Sequence, residues 1–471
     1  LWRCPGGLFP PFCSSRRRPK KYLLLALPVL AAAYTHSAFR KYRWEVSTMG
    51  FYRQGGPGLR AALQGAPDNL WKSFPLLAMT SACPADTRLL LCGDVMTGHG
   101  IDPFLLPPGI HAPLARTVKS ALEYVREAEA AIDPRTPPAI TRGAAAGSAP
   151  AQPPLPRPVS FEYPWGDALP LLKREPPDLR LINLETTITE RGAPAMPAPH
   201  ARMHPLNLPT LAALGVDGAV LANRHVLDWG HEGLHDTLTS LRQAGIPGIG
   251  AGHDCAEADQ EGQWLLPGKA RVRLFAYGHP SSGLPSHWAA AANRPGINWL
   301  ERLDSDTIRR LAARIRGSKE EGDLVIVSLH WGSNWGYEVP GEQRRFARAL
   351  IDEAGVDLVW GHSSHHPRPI EVYRDRLILY GVGDFLKDAS CALGHEAYRP
   401  HLAALYLPRL AADGRLSELR LWPLHVHLFR LKRAGALDCH WLARALSQEC
   451  RGHGTGLELQ ADGSLQLRWG K

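Results

Sequence analysis

Seven apolar runs of strand length punctuate this chain, and each delivers a carboxylate, an amide or a histidine at its downstream end. Arg88–Val95 ends on Asp94, and Leu179–Glu185 on Asn183 and Glu185. Asp217–Ala222 leads into Asn223, His225 and Asp228, and Arg271–Tyr277 into His279. Asp323–His330 ends on His330, Val356–Gly361 leads into His362 and His365, and Arg376–Val382 into Asp384. Helix-like segments separate the runs. His231–Ala244 spaces Leu234, Leu238 and Leu241 on one face, and Thr307–Ile315 and Glu342–Ala354 repeat that grammar, with Gly245 and Gly355 as stops. Strands alternating with helices predict an α/β fold. In open α/β sheets, sites form beyond the carboxyl ends of the strands. A mixed Asp/Glu/Asn/His set gathered there suits a divalent metal, which points to a metal-dependent enzyme rather than a binding module.

Charge bears on which partners fit. The chain has 471 residues and a net charge of +9, but the excess is local. Residues 1–78 hold 12 Lys/Arg and 2 Asp/Glu, and the remainder 42 and 43. A nearly neutral body lacks the basic face of a nucleic-acid enzyme. The eight cysteines are scattered and show no CxxC pair, so reduced thiols are expected, with Cys92 inert inside a strand.

Three regions follow from the pattern. Residues 1–85 read as an N-terminal extension, unstructured or not native. Residues 16–38 place a basic cluster before the short apolar run Tyr22–Tyr34, as signal peptides do, but the run is short for a membrane span. Upstream sequence foreign to the natural protein gives the same pattern, and Met49 and Met79 are candidate starts. A cytoplasmic location is favoured; export or membrane association follows only if 16–38 acts as a signal. Residues 86–400 form the main domain, with a helix at Arg116–Ile132 and a Pro/Ala/Gly-rich insertion near 134–158. Residues 401–471 read as a β extension, with strands at Leu402–Leu407 and Leu416–Leu421 and a hairpin about Asp462-Gly463.

Each motif has a plain reading beside the functional one. Asp94, in GDVMTG, is a metal carboxylate or a helix cap. Asn183 and Glu185 are two ligands on one strand face or a polar strand edge. Asn223, His225 and Asp228 crowd one turn: Asn offers a neutral oxygen, His225 stabilises charge or moves a proton, and Asp228 fixes its tautomer, unless both amide and acid serve only the turn. A lone His330 is most simply a core histidine, but His362 and His365 on the next strand make a shared centre harder to dismiss.

GDVMTG, NLETTIT, Asn-x-His-x-Leu-Asp-x-Gly, HWG, GHSSHHPRPIE and YGVGDF occur here in one order. As an ordered set over about Leu89–Lys387 they resemble the CapA-type capsule, or poly-γ-glutamate synthesis, protein family. That family is similar in fold to calcineurin-like metallophosphatases. The resemblance implies a two-sheet α/β sandwich binding one or two divalent ions of Mn, Fe or Zn type. It implies Asp94, Glu185, Asn223, His330, His362 and His365 as metal or near-metal residues, with His225 as the charge-stabilising histidine. The expected chemistry is hydrolysis of a phosphoester or amide by metal-activated water, acting on an anionic polymer or phosphoester. Two rivals stand beside it: a phosphoesterase unrelated to capsule, and a non-catalytic scaffold. Arg224 stands where the family usually has a second Asn. It removes a ligand, which Asn223 then replaces or the second metal site lacks, or it clamps an anionic substrate.

Overall fold

The computed structural model describes residues 85–98, 100–105, 158–194, 200–387 and 394–470. The N-terminal extension to residue 84, the helix expected at 116–132 and nearly all of the 134–158 insertion lie outside these residues. In chain order the main elements are β1 (Thr87–Val95), α1 (Ala168–Arg174), β2 (Leu179–Leu184), α2 (Pro209–Leu214), β3 (Gly218–Val220) and α3 (Gly230–Gln243). They continue with β4 (Gly248–Ile249), β5 (Gly262–Leu265), β6 (Arg271–Gly278), α4 (Ser305–Ser318), β7 (Leu324–His330) and α5 (Gly341–Ala354). Then come β8 (Leu358–His362), β9 (Ile370–Tyr373), β10 (Arg376–Leu379), β11 (Asp384–Leu386), β12 (Leu402–Leu410) and β13 (Leu416–His427). The chain closes with β14 (Arg430–Arg433), α6 (Ala436–Cys450), β15 (Thr455–Leu459) and β16 (Leu465–Trp469).

All seven apolar runs are strands, but they divide between two sheets. A ten-stranded sheet runs β15-β16-β13-β12-β1-β2-β3-β4, with β11 beside β1 and β14 beside β13. A six-stranded sheet runs β9-β10-β8-β7-β6-β5. The central strands of both are parallel: β1, β2, β3 and β4 in the first, β6, β7, β8 and β10 in the second. Parallel strands are covered on both faces, and the burial of β7 from Leu324 to His330 without a break fits that rule.

Alternation along the strands sets the layers. Leu89 and Leu91 of β1 and Leu179 and Leu181 of β2 face Leu274, Ile326, Leu358 and Trp360 of the second sheet. Leu90, Cys92 and Ile182 point the other way, onto Leu171 of α1, Leu211 of α2 and Leu234 and Leu241 of α3. Val325, Val327 and Val359 of the second sheet meet Ile308, Leu311 and Ile315 of α4 and Phe346 and Leu350 of α5. The order is therefore helices, sheet, sheet, helices. Each leucine so enclosed contributes about 1.5–3 kcal/mol. Helix α4 begins at Asp304, whose carboxylate accepts from Thr307 N–H at 2.9 Å. Helix α5 stops at Gly355, which takes the left-handed conformation with φ 69°.

The C-terminal region is less separate than its sequence suggests. β12 pairs directly with β1, placing Tyr406 opposite Leu91, so the extension continues the first sheet. The β15–β16 hairpin turns at Gly463, as its Asp-Gly pair predicts. Helix α6 was not foreseen. Its Leu442, Leu446 and Cys450 close one end of the inter-sheet core. Among the described residues, Cys92, Cys255, Cys439 and Cys450 are free thiols, and burial pushes Cys92 well up, away from its reactive form. No helix among the described residues is long and apolar enough to cross a membrane.

Candidate metal centre

Strand register brings the polar strand ends together. Asp94 of β1 lies beside Asn183 of β2 and beside Asp384 of β11. His330 of β7 and His362 of β8 are register partners, so their rings share a face, with centroids 6.4 Å apart and planes 18° from parallel. The two sheets meet at this edge. His362 Nδ1 lies 3.7 Å from Asp94 Oδ1, and His330 Nδ1 lies 3.9 Å from Glu185 Oε2. Asp94, Glu185, His330 and His362 are all at most 1% exposed.

Some of these groups are held from behind. Asn183 Nδ2 donates to Asp94 Oδ1 at 2.8 Å and to Glu185 Oε2 at 2.9 Å. It thereby orients both carboxylates. Asn223 Nδ2 donates to Asn183 Oδ1 and to the Leu184 carbonyl, both at 2.9 Å. Asn223 Oδ1 accepts from the backbone N–H of His225 and of Val226, each at 3.1 Å. Both lone-pair directions of that amide oxygen are thus taken by the turn, leaving Asn223 as a brace behind the cluster.

Other polar atoms have no protein partner. Asp94 Oδ2, Glu185 Oε1, both ring nitrogens of His330 and Nδ1 of His362 are buried without a hydrogen bond. Arg224 Nε does approach Glu185 Oε1 to 3.1 Å, but as an ion pair without hydrogen-bond alignment. Buried polar groups are nearly always satisfied, so several orphans facing one another fit a cation held among them. The electrostatics agree. Burial, followed by the neighbouring Asp384, pushes Asp94 up to about 7. Burial and then Asp94 push Glu185 up to about 8. Burial holds His362 down to about 3, and burial, then Arg224, holds His330 well below its ordinary value. Neutral imidazoles beside two crowded carboxylates fit a divalent cation, which needs the lone pairs of the first and the charge of the second.

His365 sits differently. Ser363, with φ 91°, turns the chain sharply after β8, and its Oγ donates to the Gly332 carbonyl at 3.0 Å. His365 then returns to the cluster, its Nδ1 2.9 Å from Asp384 Oδ1 and its Nε2 3.0 Å from Arg224 Nη2. Single atoms of Asp94, His365 and Asp384 lie within 4.8 Å of one another. Of these three only Asp94 retains an unpartnered atom, whereas Asp94, Glu185, His330 and His362 carry the orphans without reaching that mutual closeness. Asp384 also takes Lys387 Nζ at 2.7 Å. Burial opposes its charge, but Lys387 and His365 outweigh burial and hold its carboxyl below the usual range.

His225 and Asp228 form a buried pair, with Nδ1 and Oδ2 2.6 Å apart. Asp228 Oδ2 also accepts from Ala201 N–H at 2.6 Å, which fixes the carboxylate. The far nitrogen of His225 faces the cluster, 3.9 Å from Glu185 Oε1. Asn183, offered with Glu185 as a ligand pair, instead orients the carboxylates, and Asp384 was given no role of its own. Both lie inside quoted motifs, NLETTIT and YGVGDF, at strand ends like those of the other members. His279 stays at its own turn, with Nδ1 2.7 Å from Ser281 Oγ.

Comparison with known proteins agrees with the order of motifs. Residues 88–389 match the family model described as Bacterial capsule synthesis protein PGA_cap. A probable polyglutamine synthesis accessory protein of Mycobacterium tuberculosis is 41% identical over 388 residues, covering 82% of this chain and 96% of that one. The PGA biosynthesis protein CapA of Bacillus subtilis is 30% identical over 167 residues, 36% of this chain and 41% of its own length. Among solved structures, the Plasmodium inner-membrane-complex anchor GAP50 superposes with a TM-score of 0.30 at 8% identity, covering 77% of this chain and 95% of that one, which is too little to argue from. The family model spans most of the chain, and the mycobacterial relative nearly the whole of its own length. The chain belongs to the bacterial PGA_cap capsule synthesis protein family.

Proposed function

We propose that this chain is a metal-dependent hydrolase of a phosphoester or amide bond, serving the synthesis or release of poly-γ-glutamate or another anionic cell-surface polymer. One observation carries the reading: buried, unpartnered atoms of Asp94, Glu185, His330 and His362 converge where the strand ends of two sheets meet. A metallophosphatase-like fold is part of it, supported by the four layers and by the site's place at the strand ends. The printed names of the capsule and polyglutamine relatives support the polymer.

Asp94, Glu185, His330 and His362 would hold a divalent ion of Mn, Fe or Zn type, and His365 and Asp384 flank them. When bound, such an ion supplies Lewis acidity to water and to the scissile group. The remaining work falls to the chain. Asp228 accepts from His225 Nδ1–H and so directs Nε2 toward the cluster. There the ring accepts a proton when neutral, and when protonated it donates to charge developing on the substrate. Arg224 places a guanidinium at the same face, suited to an anionic group.

The test is to strip the full chain with chelator, reload it with Mn(II), Fe(II) or Zn(II), and measure bound metal. Hydrolysis of p-nitrophenyl phosphate and of a γ-linked glutamyl peptide is then assayed. Metal-dependent cleavage of the peptide supports the polymer reading; cleavage of the phosphate alone makes this a phosphoesterase. A chain that takes up none of the three metals is a scaffold.

A further inference from the structure

We infer that the Arg224 guanidinium occupies the place of a second metal ion, so that the centre takes one divalent cation and carries its second positive charge in the chain itself. The inference rests on the metal-dependent reading above.

The first support is the company Arg224 keeps. Its Nε lies 3.1 Å from Glu185 Oε1, its Nη2 lies 3.0 Å from His365 Nε2, and its Nη1 donates to Asn334 Oδ1. A carboxylate oxygen, an imidazole nitrogen and an amide oxygen are the donor types of a divalent cation.

The second support is the tautomer of His365. A guanidinium can only donate, so Nε2 of His365 accepts from Arg224 and the ring proton resides on Nδ1. Nδ1–H then donates to Asp384 Oδ1 at 2.9 Å. A carboxylate behind an imidazole whose other nitrogen faces a cation is the pattern of a metal-bound histidine. Here the cation is Arg224.

The third support is the division of labour within the cluster. The atoms without partners are Asp94 Oδ2, the His330 nitrogens and His362 Nδ1, whereas Glu185 Oε1 is met by Arg224 and the atoms of His365 and Asp384 are already engaged. The lone pairs left for a cation are those of Asp94, His330 and His362. Arg224 cannot turn aside cheaply either, because the largely buried Glu185–Arg224–His365 chain would lose its centre.

The test counts metal. The full chain is chelator-stripped and titrated with Mn(II) alone, and bound metal per chain is read by elemental analysis and by calorimetry. One ion per chain is expected. Arg224→Asn should bring the count to two by freeing His365 and adding an amide oxygen, and Arg224→Lys should keep it at one. Two ions on the unmodified chain overturn the inference and leave the metal-dependent reading standing; none overturns both. A count that stays at one in a folded Arg224→Asn also overturns it. Should that variant fail to melt cooperatively, the unmodified chain and Arg224→Lys still decide, since two ions on either is incompatible with an occupied site.

Discussion

At the scale of single residues, the strand end is what positions each candidate ligand. Asp94, Glu185, His330 and His362 close apolar runs, and strand register carries all four to one place. Asn223 sits at such an end too, but its oxygen accepts from two backbone N–H groups, a turn role that its type allowed equally. Asp384 follows an apolar run too, and its register with Asp94 makes it a neighbour. The His225–Asp228 pair yields the sharpest test. Its bonds face one another and the Ala201 backbone, and no orphan atom belongs to either residue. His225→Ala should therefore leave metal content unchanged while lowering kcat by about 10²-fold or more, the usual contribution of a positioned acid or base. Asp94→Asn should do the opposite first, losing metal before any rate is measured. If His225→Ala loses metal as Asp94→Asn does, His225 is a ligand and its assigned role is wrong.

At the scale of elements, the periodic parts were legible and the contacts between them were not. The seven runs and the helices after β3, β6 and β7 follow from alternation, leucine spacing and glycine stops. That the runs divide between two sheets depends on pairings among distant strands, which no local pattern encodes. Helix α6 was missed because its buried stripe, Cys439, Leu442, Ala443, Leu446 and Cys450, carries only two leucines. Gly93 meets a need that only the fold reveals. A glycine beside Asp94 lets something approach the backbone closely. What approaches is another strand: a side-chain carbon at Gly93 would lie 1.8 Å from the Gly383 carbonyl oxygen. Asp94 N–H donates to that same oxygen at 3.1 Å, and β11, which carries Asp384, is thereby held to β1. Gly93→Ala removes no polar group. It should nevertheless destabilise the chain by about 1–3 kcal/mol or more, as overpacking in a close-packed core does. It should also weaken metal binding at least tenfold by parting Asp94 from its neighbours. Retention of wild-type affinity in a cooperatively folded Gly93→Ala would show that the centre tolerates displacement of β11.

At the scale of the whole molecule, the centre is a place where folding stores electrostatic work. Two sheets close on one another through an apolar core, and at one edge they enclose carboxylates and imidazoles that would each be better hydrated apart. That cost has a pH signature in the metal-free chain. Burial pushes Asp94 up to about 7 and Glu185 to about 8, against roughly 4 for such groups in an unfolded chain. Between those values the folded chain holds protons that the unfolded chain has released, so raising the pH favours unfolding. His330 and His362, held low, act in the opposite sense: they favour folding as the pH rises through the ordinary histidine value near 6.5, and this contribution fades about one unit above it. The carboxylate effect therefore outweighs a fading histidine one from about pH 6.5 to 8. Asp102, raised to about 7 by burial and bonded to His204 N–H and Asn207, adds a part unrelated to the cluster. The melting temperature of the metal-free chain should fall steadily across this window. A saturating divalent ion favours the ionised carboxylates and should flatten the slope, leaving the Asp102 part. The check is a pair of melting series at pH 6.5, 7, 7.5 and 8, with chelator and with Mn(II). Parallel series would mean that the ion does not bind at Asp94 and Glu185.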